Sequence, residues 1–221
     1  MTKESIFGDA SPPTVVWALT GIFIAFELAF ALSNAGILPI QDLRWQSYLG
    51  LAFFDIYFED ALRGQAVPWW FWTSFLTYSV LHGGIFHLAM NGVFFVAVGG
   101  MVARVMGPAK FLILFVGTAL GGSIVFGLLA DSQGPMVGAS GALFGLIGAL
   151  KSWEWRYIRR TGASADRFWR TIIALAAMNL LLAIAFAGQG SLAWEAHLGG
   201  FLAGFLIAPI LEPRLAGPSP I

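Results

Sequence analysis

Ser140, His197, His87 and Asn91 are the residues whose types and settings could do chemistry, and that chemistry is acyl transfer through an activated serine. Ser140 lies in Gly138-Ala139-Ser140-Gly141-Ala142-Leu143-Phe144-Gly145. Glycine two before and one after a serine lets the backbone turn sharply and leaves the hydroxyl open. A serine that opens a helix also sits beside N–H groups able to hold a developing oxyanion. Gly141 and Gly145 have a plainer reading too, as a GxxxG packing face.

His197 lies in Ala196-His197-Leu198-Gly199-Gly200, and Gly200 with Gly204 makes a second stripe of small residues. Two helices with glycine faces can come close enough for a serine and a histidine to hydrogen-bond at about 2.6–3.2 Å. Ser140 therefore reads as nucleophile and His197 as general base. Glu195, two residues from His197, should point elsewhere on the helix, so a dyad is expected. Phe144, one turn after Ser140, can pack on the imidazole and fix its orientation, a role compatible with simple core packing. His87 and Asn91 are four apart and share one helix face. With the Ser140 N–H they are the expected oxyanion donors.

Helices in lipid must position these groups. Of 221 residues, 58% are hydrophobic and 11% charged, and the mean hydropathy is +0.78. A soluble domain carries about 25% charged residues, so lipid is the solvent for much of this chain. Net charge is zero, which gives no overall pull toward nucleic acid or anionic lipid. Cysteine is absent, which excludes disulfides, thiolate zinc sites and cysteine nucleophiles. No metal or other cofactor is expected: there is no phosphate-loop pattern, and the dyad and oxyanion site already employ two of the three histidines. The length suits one helical bundle without a second large domain.

A spanning helix needs roughly 20 mostly apolar residues, and lipid admits helices here rather than open strands. Six stretches stand out: about Thr14–Asn34, Gly84–Ala103, Phe111–Ala130, Gly138 to past Leu150, Thr171–Ala187, and Ala196–Leu211, which frays at Pro209 and Pro213. Ala29-Phe30-Ala31 looks like a signal-peptidase site, but the run before it is longer than the usual span of about 7–15 residues. Glu27 lies inside that run, which is read as a membrane span. With the N-terminus inside, ten of the twelve basic residues are cytoplasmic: Lys3, Arg104, Lys110, Lys151, Arg156, Arg159, Arg160, Arg167, Arg170 and Arg214. Only Arg44 and Arg63 lie outside, which selects an N-in, C-in topology. Spans two, four and six then run inward, and His87, Asn91, Ser140 and His197 share one level near the outer surface. Residues 35–72 are too polar to span yet rich in tryptophan, tyrosine and phenylalanine, and read as an outer interfacial loop. The expected fold is all-α: one polytopic membrane domain over residues 1–221, six transmembrane helices in one bundle, with the interfacial loop at 35–72 and the core at 82–212.

Taken together, His82-Gly-Gly-Ile-Phe-His87-Leu-Ala-Met-Asn91, the GASGALFG run holding Ser140, and AHLGG holding His197 resemble the rhomboid family of intramembrane serine proteases. The likeness is to the prokaryotic six-span type and runs from about His82 to Gly204. It implies a Ser140–His197 dyad and an oxyanion site from His87 and Asn91. It also implies a water-filled cavity open to the outer side of a plasma membrane. The implied substrates are single transmembrane helices cut near their outer end, with the lipid bilayer as the other partner and no nucleic acid. His82 matches a histidine that supports this region rather than reacts. One departure is that Trp72-Thr73-Ser74 stands where the family often has Trp-Arg, while Arg44-Trp45 has the pair reversed and much earlier. Phe144 occupies a position that can be tyrosine in the family. Two rivals are a rhomboid-like helix-binding protein that does not cut, whose kind lose the serine or histidine present here, and a small transporter using Glu27.

Overall fold

The computed structural model describes residues 11–132, 134–185 and 193–212. Among them the regular structure is helical, with one antiparallel bridge between Phe53 and Met136. Helix α1 is Thr14–Asn34, α2 Leu43–Leu51, α3 Asp55–Leu62, α4 Phe71–Thr77, α5 Ile85–Met106 and α6 Pro108–Leu129. Helix α7 is Ser140–Thr161, α8 Asp166–Ala185 and α9 Trp194–Leu211. Helix α5 widens to a π turn over Phe95–Gly99.

Five of these helices, α1, α5, α6, α8 and α9, are long and apolar enough to cross a membrane. The expected fourth span, α7, has the length but carries Lys151, Glu154, Arg156, Arg159 and Arg160 toward its C-terminus. It lies inside the bundle against α9 and α6, where buried Lys151 is paired with Glu154 at 2.6 Å. Helix α9 continues through Pro209 to Leu211 rather than fraying at the proline, whose missing N–H falls in the last turn. Lys3, Ala187, Pro213 and Arg214, which entered the span and charge readings, lie outside the described residues.

Glycine sets how closely the central helices approach. A Cβ on Gly200 would overlap the Gly141 carbonyl, and one on Gly204 would overlap the Gly145 carbonyl. The stripes of α7 and α9 therefore meet backbone to backbone. On the other side of α9, a Cβ on Gly199 would overlap the Gly121 carbonyl of α6, so α9 is clamped between two glycine seams. Without a hydrophobic driving force between helices in lipid, such close packing is what holds them. Helix α8 is the opposite case: Phe168 is its one fully buried side chain among the described residues.

The interfacial stretch 35–72 is more structured than a loop, because its aromatics divide between core and surface. Phe53 and Phe71 are fully buried, and Phe53 packs edge-on to Phe75 and Phe126, while Trp45, Trp69 and Trp72 face outward. Helices α2, α3 and α4 form around that inward face. Glu27, the residue a transporter reading would use, is gripped by Arg44 of α2 through two contacts of 2.7 and 3.0 Å. Arg44 also donates to the His82 carbonyl oxygen at 2.6 Å, and the Tyr48 hydroxyl donates to the same oxygen at 2.8 Å. The interfacial segment is thus bolted to α1 and to the turn that starts α5, and an ion path through Glu27 loses its basis. Arg44→Ala leaves a carboxylate in α1 whose side chain is 6% exposed. Removing one partner of a buried pair costs about 3–5 kcal/mol, with the low end expected because the Arg44 side chain is 23% exposed. Thermal unfolding in detergent should show this loss, and Glu27→Gln, which removes the charge instead of orphaning it, should lose less.

Candidate active site

The approach to Ser140 is fixed by backbone bonds. Met136 exchanges hydrogen bonds with Phe53 at 2.8 and 3.2 Å, and the Gly138 N–H donates to the Tyr78 carbonyl at 3.0 Å. Burial pushes the Tyr78 hydroxyl up, so it stays protonated and donates to the Ala119 carbonyl of α6 at 2.9 Å. Gly138 has φ +123°, where a side chain is strained, and a Cβ there would come within 2.8 Å of the His87 ring. Glycine is required at this position both for the turn and for the histidine beside it. Ser140 then begins α7, and the N–H groups of a first turn have no carbonyl in their own helix to bond.

His197 lies one turn into α9 and is 4% exposed. Its Nε2 is 2.9 Å from Ser140 Oγ. Phe144 lies parallel on the imidazole, with centroids 4.3 Å apart and planes 5° from parallel. The other ring nitrogen, Nδ1, is 2.7 Å from Oδ1 of Asn179 on α8. Asn179 was absent from the expected site, and Glu195 is not what meets Nδ1. A signal for Asn179 did exist: between Ile172 and Ala185 it is the one strongly polar side chain in an apolar run. An apolar cavity of about 560 Å³ opens beside these groups, lined by Phe144, Asn179, His197 and Phe201 among others from α7, α8 and α9.

His87 and Asn91 come from α5, and the His87 ring lies against Gly138, two residues before Ser140. The Gly83 N–H donates to His87 Nδ1 at 3.2 Å, which leaves the proton on Nε2, the edge that faces Gly138. Asn91 is buried one turn deeper, and its Nδ2 donates to the His87 carbonyl at 2.9 Å. An amide nitrogen carries a second hydrogen, so that bond leaves one to give. His82 is buried, packed edge-on to His87 with centroids 5.2 Å apart and tilted on Phe23 at 5.4 Å. Burial, reinforced by His87, pushes its imidazole down to about 3, so it remains neutral at working pH. Among the described residues no cluster of three or more histidine, aspartate or glutamate side chains is placed to hold a metal.

The chain matches the Rhomboid domain family over residues 69–214. It is 34% identical over 163 residues to Rhomboid protease GluP of Bacillus subtilis, covering 72% of this chain and 29% of that protein. It is 37% identical over 139 residues to RHOMBOID-like protein 5 of Arabidopsis thaliana, covering 61% of this chain and 42% of that one. It is 27% identical over 177 residues to Putative rhomboid protease YdcA of Bacillus subtilis, covering 78% of this chain and 84% of that one. The chain thus spans less than half the length of the first two relatives.

Proposed function

The chain belongs to the rhomboid family, and from that premise we propose that it is an intramembrane serine endopeptidase in which Ser140 and His197 act as a unit on single-span membrane proteins. The observation that carries this reading is the 2.9 Å approach of His197 Nε2 to Ser140 Oγ at a helix start. Nε2 takes the hydroxyl proton as Oγ adds to the scissile carbonyl carbon. The resulting oxyanion faces the Ser140 N–H, the Nε2–H of His87 and the free hydrogen of the Asn91 amide. Collapse expels the amine, which leaves with the proton from His197, and a water molecule then repeats the sequence on the acyl-enzyme. Phe144 limits the imidazole to one plane, and Gly138 keeps the space between His87 and Ser140 clear.

The substrate class follows from the attack. A helical carbonyl is engaged in its own ladder and shielded by side chains, so the cut bond must lie in an extended stretch, at the outer end of the substrate's span. With six spans and both termini inside, Ser140 would lie at that level. One measurement tests chemistry and orientation together. A membrane-impermeant fluorophosphonate should label right-side-out vesicles containing the wild type and leave Ser140→Ala unlabelled. Labelling confined to inverted vesicles would reverse the topology. Absence of labelling in permeabilised vesicles would remove Ser140 as nucleophile.

A further inference from the structure

We propose that Asn179 on α8 is a positioning residue for the base: its amide oxygen accepts a hydrogen bond from His197 Nδ1–H and so keeps the Nε2 lone pair facing Ser140. The proposal rests on the serine–histidine reading above. Asn179 Oδ1, His197 Nδ1, His197 Nε2 and Ser140 Oγ form one hydrogen-bonded line across three helices, with steps of 2.7 and 2.9 Å. An amide oxygen only accepts, so Nδ1 must carry the proton, and a neutral imidazole then has a bare Nε2. With the amide reversed, an N–H would face Nδ1, the proton would move to Nε2, and the base would be lost. The far end of the amide decides between these. Its nitrogen faces the Trp194 carbonyl oxygen at 3.5 Å, a long contact that only an N–H can make favourable.

Among the described residues, nothing else near the ring does this work. Phe144 stacks on the imidazole face and fixes its plane, but a stacked ring does not distinguish one ring nitrogen from the other. Asn179 is also poorly explained as packing, because an amide beside an apolar cavity is unfavourable without a hydrogen bond. Helix α8 packs loosely, with Phe168 alone fully buried along its described length. A loosely held helix therefore supplies a group to the site, and the base is aligned only while α8 is docked.

The test compares wild type, Asn179→Leu and Asn179→Asp in liposomes with a single-span substrate, alongside thermal unfolding. Leucine suits the apolar cavity but accepts no hydrogen bond, while aspartate accepts one but packs badly there. Positioning predicts that Asn179→Leu loses kcat roughly 10- to 100-fold with KM within about twofold, and that Asn179→Asp recovers most of it. A packing role predicts the opposite order, with leucine near wild type and aspartate worst, and that order would overturn the proposal. Nitrogen-15 NMR of the histidine side chains gives an independent reading, whichever variants fold. The wild type should show His197 with Nδ1 protonated and Nε2 bare, and Asn179→Leu should lose that preference. A wild-type spectrum with Nε2 protonated would equally overturn it. Ser140→Ala separates the two levels. Turnover surviving in Ser140→Ala removes the dyad reading, whereas an inactive Ser140→Ala beside a fully active Asn179→Leu removes only the role of Asn179.

Discussion

Ser140→Ala and His197→Ala should each lower turnover of a single-span substrate in liposomes by roughly 10⁴- to 10⁶-fold, and the double variant should be no slower than either. The reason is the single hydrogen bond of 2.9 Å that joins them. The hydroxyl is a poor nucleophile unless Nε2 takes its proton, and Nε2 has no other task in the step. Removing either partner removes the same step, so the losses cannot add. Asn91→Ala should be milder, on the order of 10²- to 10³-fold, as for one of several oxyanion donors. Substrate binding should survive in all these variants, because none of the three side chains is needed to hold a helix in the bilayer. Additive losses in the double variant, or near wild-type turnover in His197→Ala, would sink the dyad.

Gly200→Ala should lose activity on the order of 10²-fold or more, the scale associated with about 1 Å of misplacement in a reacting group. The added methyl would fall on the Gly141 carbonyl oxygen, and Gly141 follows Ser140, the proposed nucleophile. A side-chain neighbour could turn aside, but a backbone carbonyl in the first turn of α7 cannot. The helices must part, and Ser140 on α7 moves away from His197 on α9. Overpacking should also lower stability by about 1–3 kcal/mol. Gly200→Leu should be worse on both counts. Leu206→Ala is the control: it lies on the same helix, is 66% exposed, and should change little. The measurement is turnover beside thermal unfolding in detergent. Wild-type turnover in Gly200→Ala would mean that the glycine seam does not set the catalytic distance.

The class of this protein was legible in local sequence, because lipid makes unusually simple demands. Runs of apolar residues had to be helices, and a polar side chain within such a run had to have a reason for being there. Ser140, His197, His87 and Asn91 could be singled out on that ground, together with the glycine stripes beside two of them. The interfacial stretch was less legible. Its polarity ruled out a span, but alternation of Phe53 and Phe71 with Trp45 and Trp69 did not reveal which aromatics turn inward until α2, α3 and α4 had somewhere to pack.

What the tertiary structure alone decided is which helix faces which. Ser140 and His197 are 57 residues apart, and their separation is set by the meeting of Gly141 with Gly200 and Gly145 with Gly204. Periodicity assigns a residue to a face of its own helix; it does not name the neighbour across from that face. For the same reason the partner of Glu27 is not legible in the first span: Arg44, 17 residues on, reaches back to it. Asn179 entered no reading of the sequence, and only the placement of α8 brings it 2.7 Å from the imidazole. A helix crossing a bilayer can rotate about its axis with little change in its exposure to lipid. The partners of its few polar groups are therefore chosen by packing between helices, which no local stretch of sequence contains.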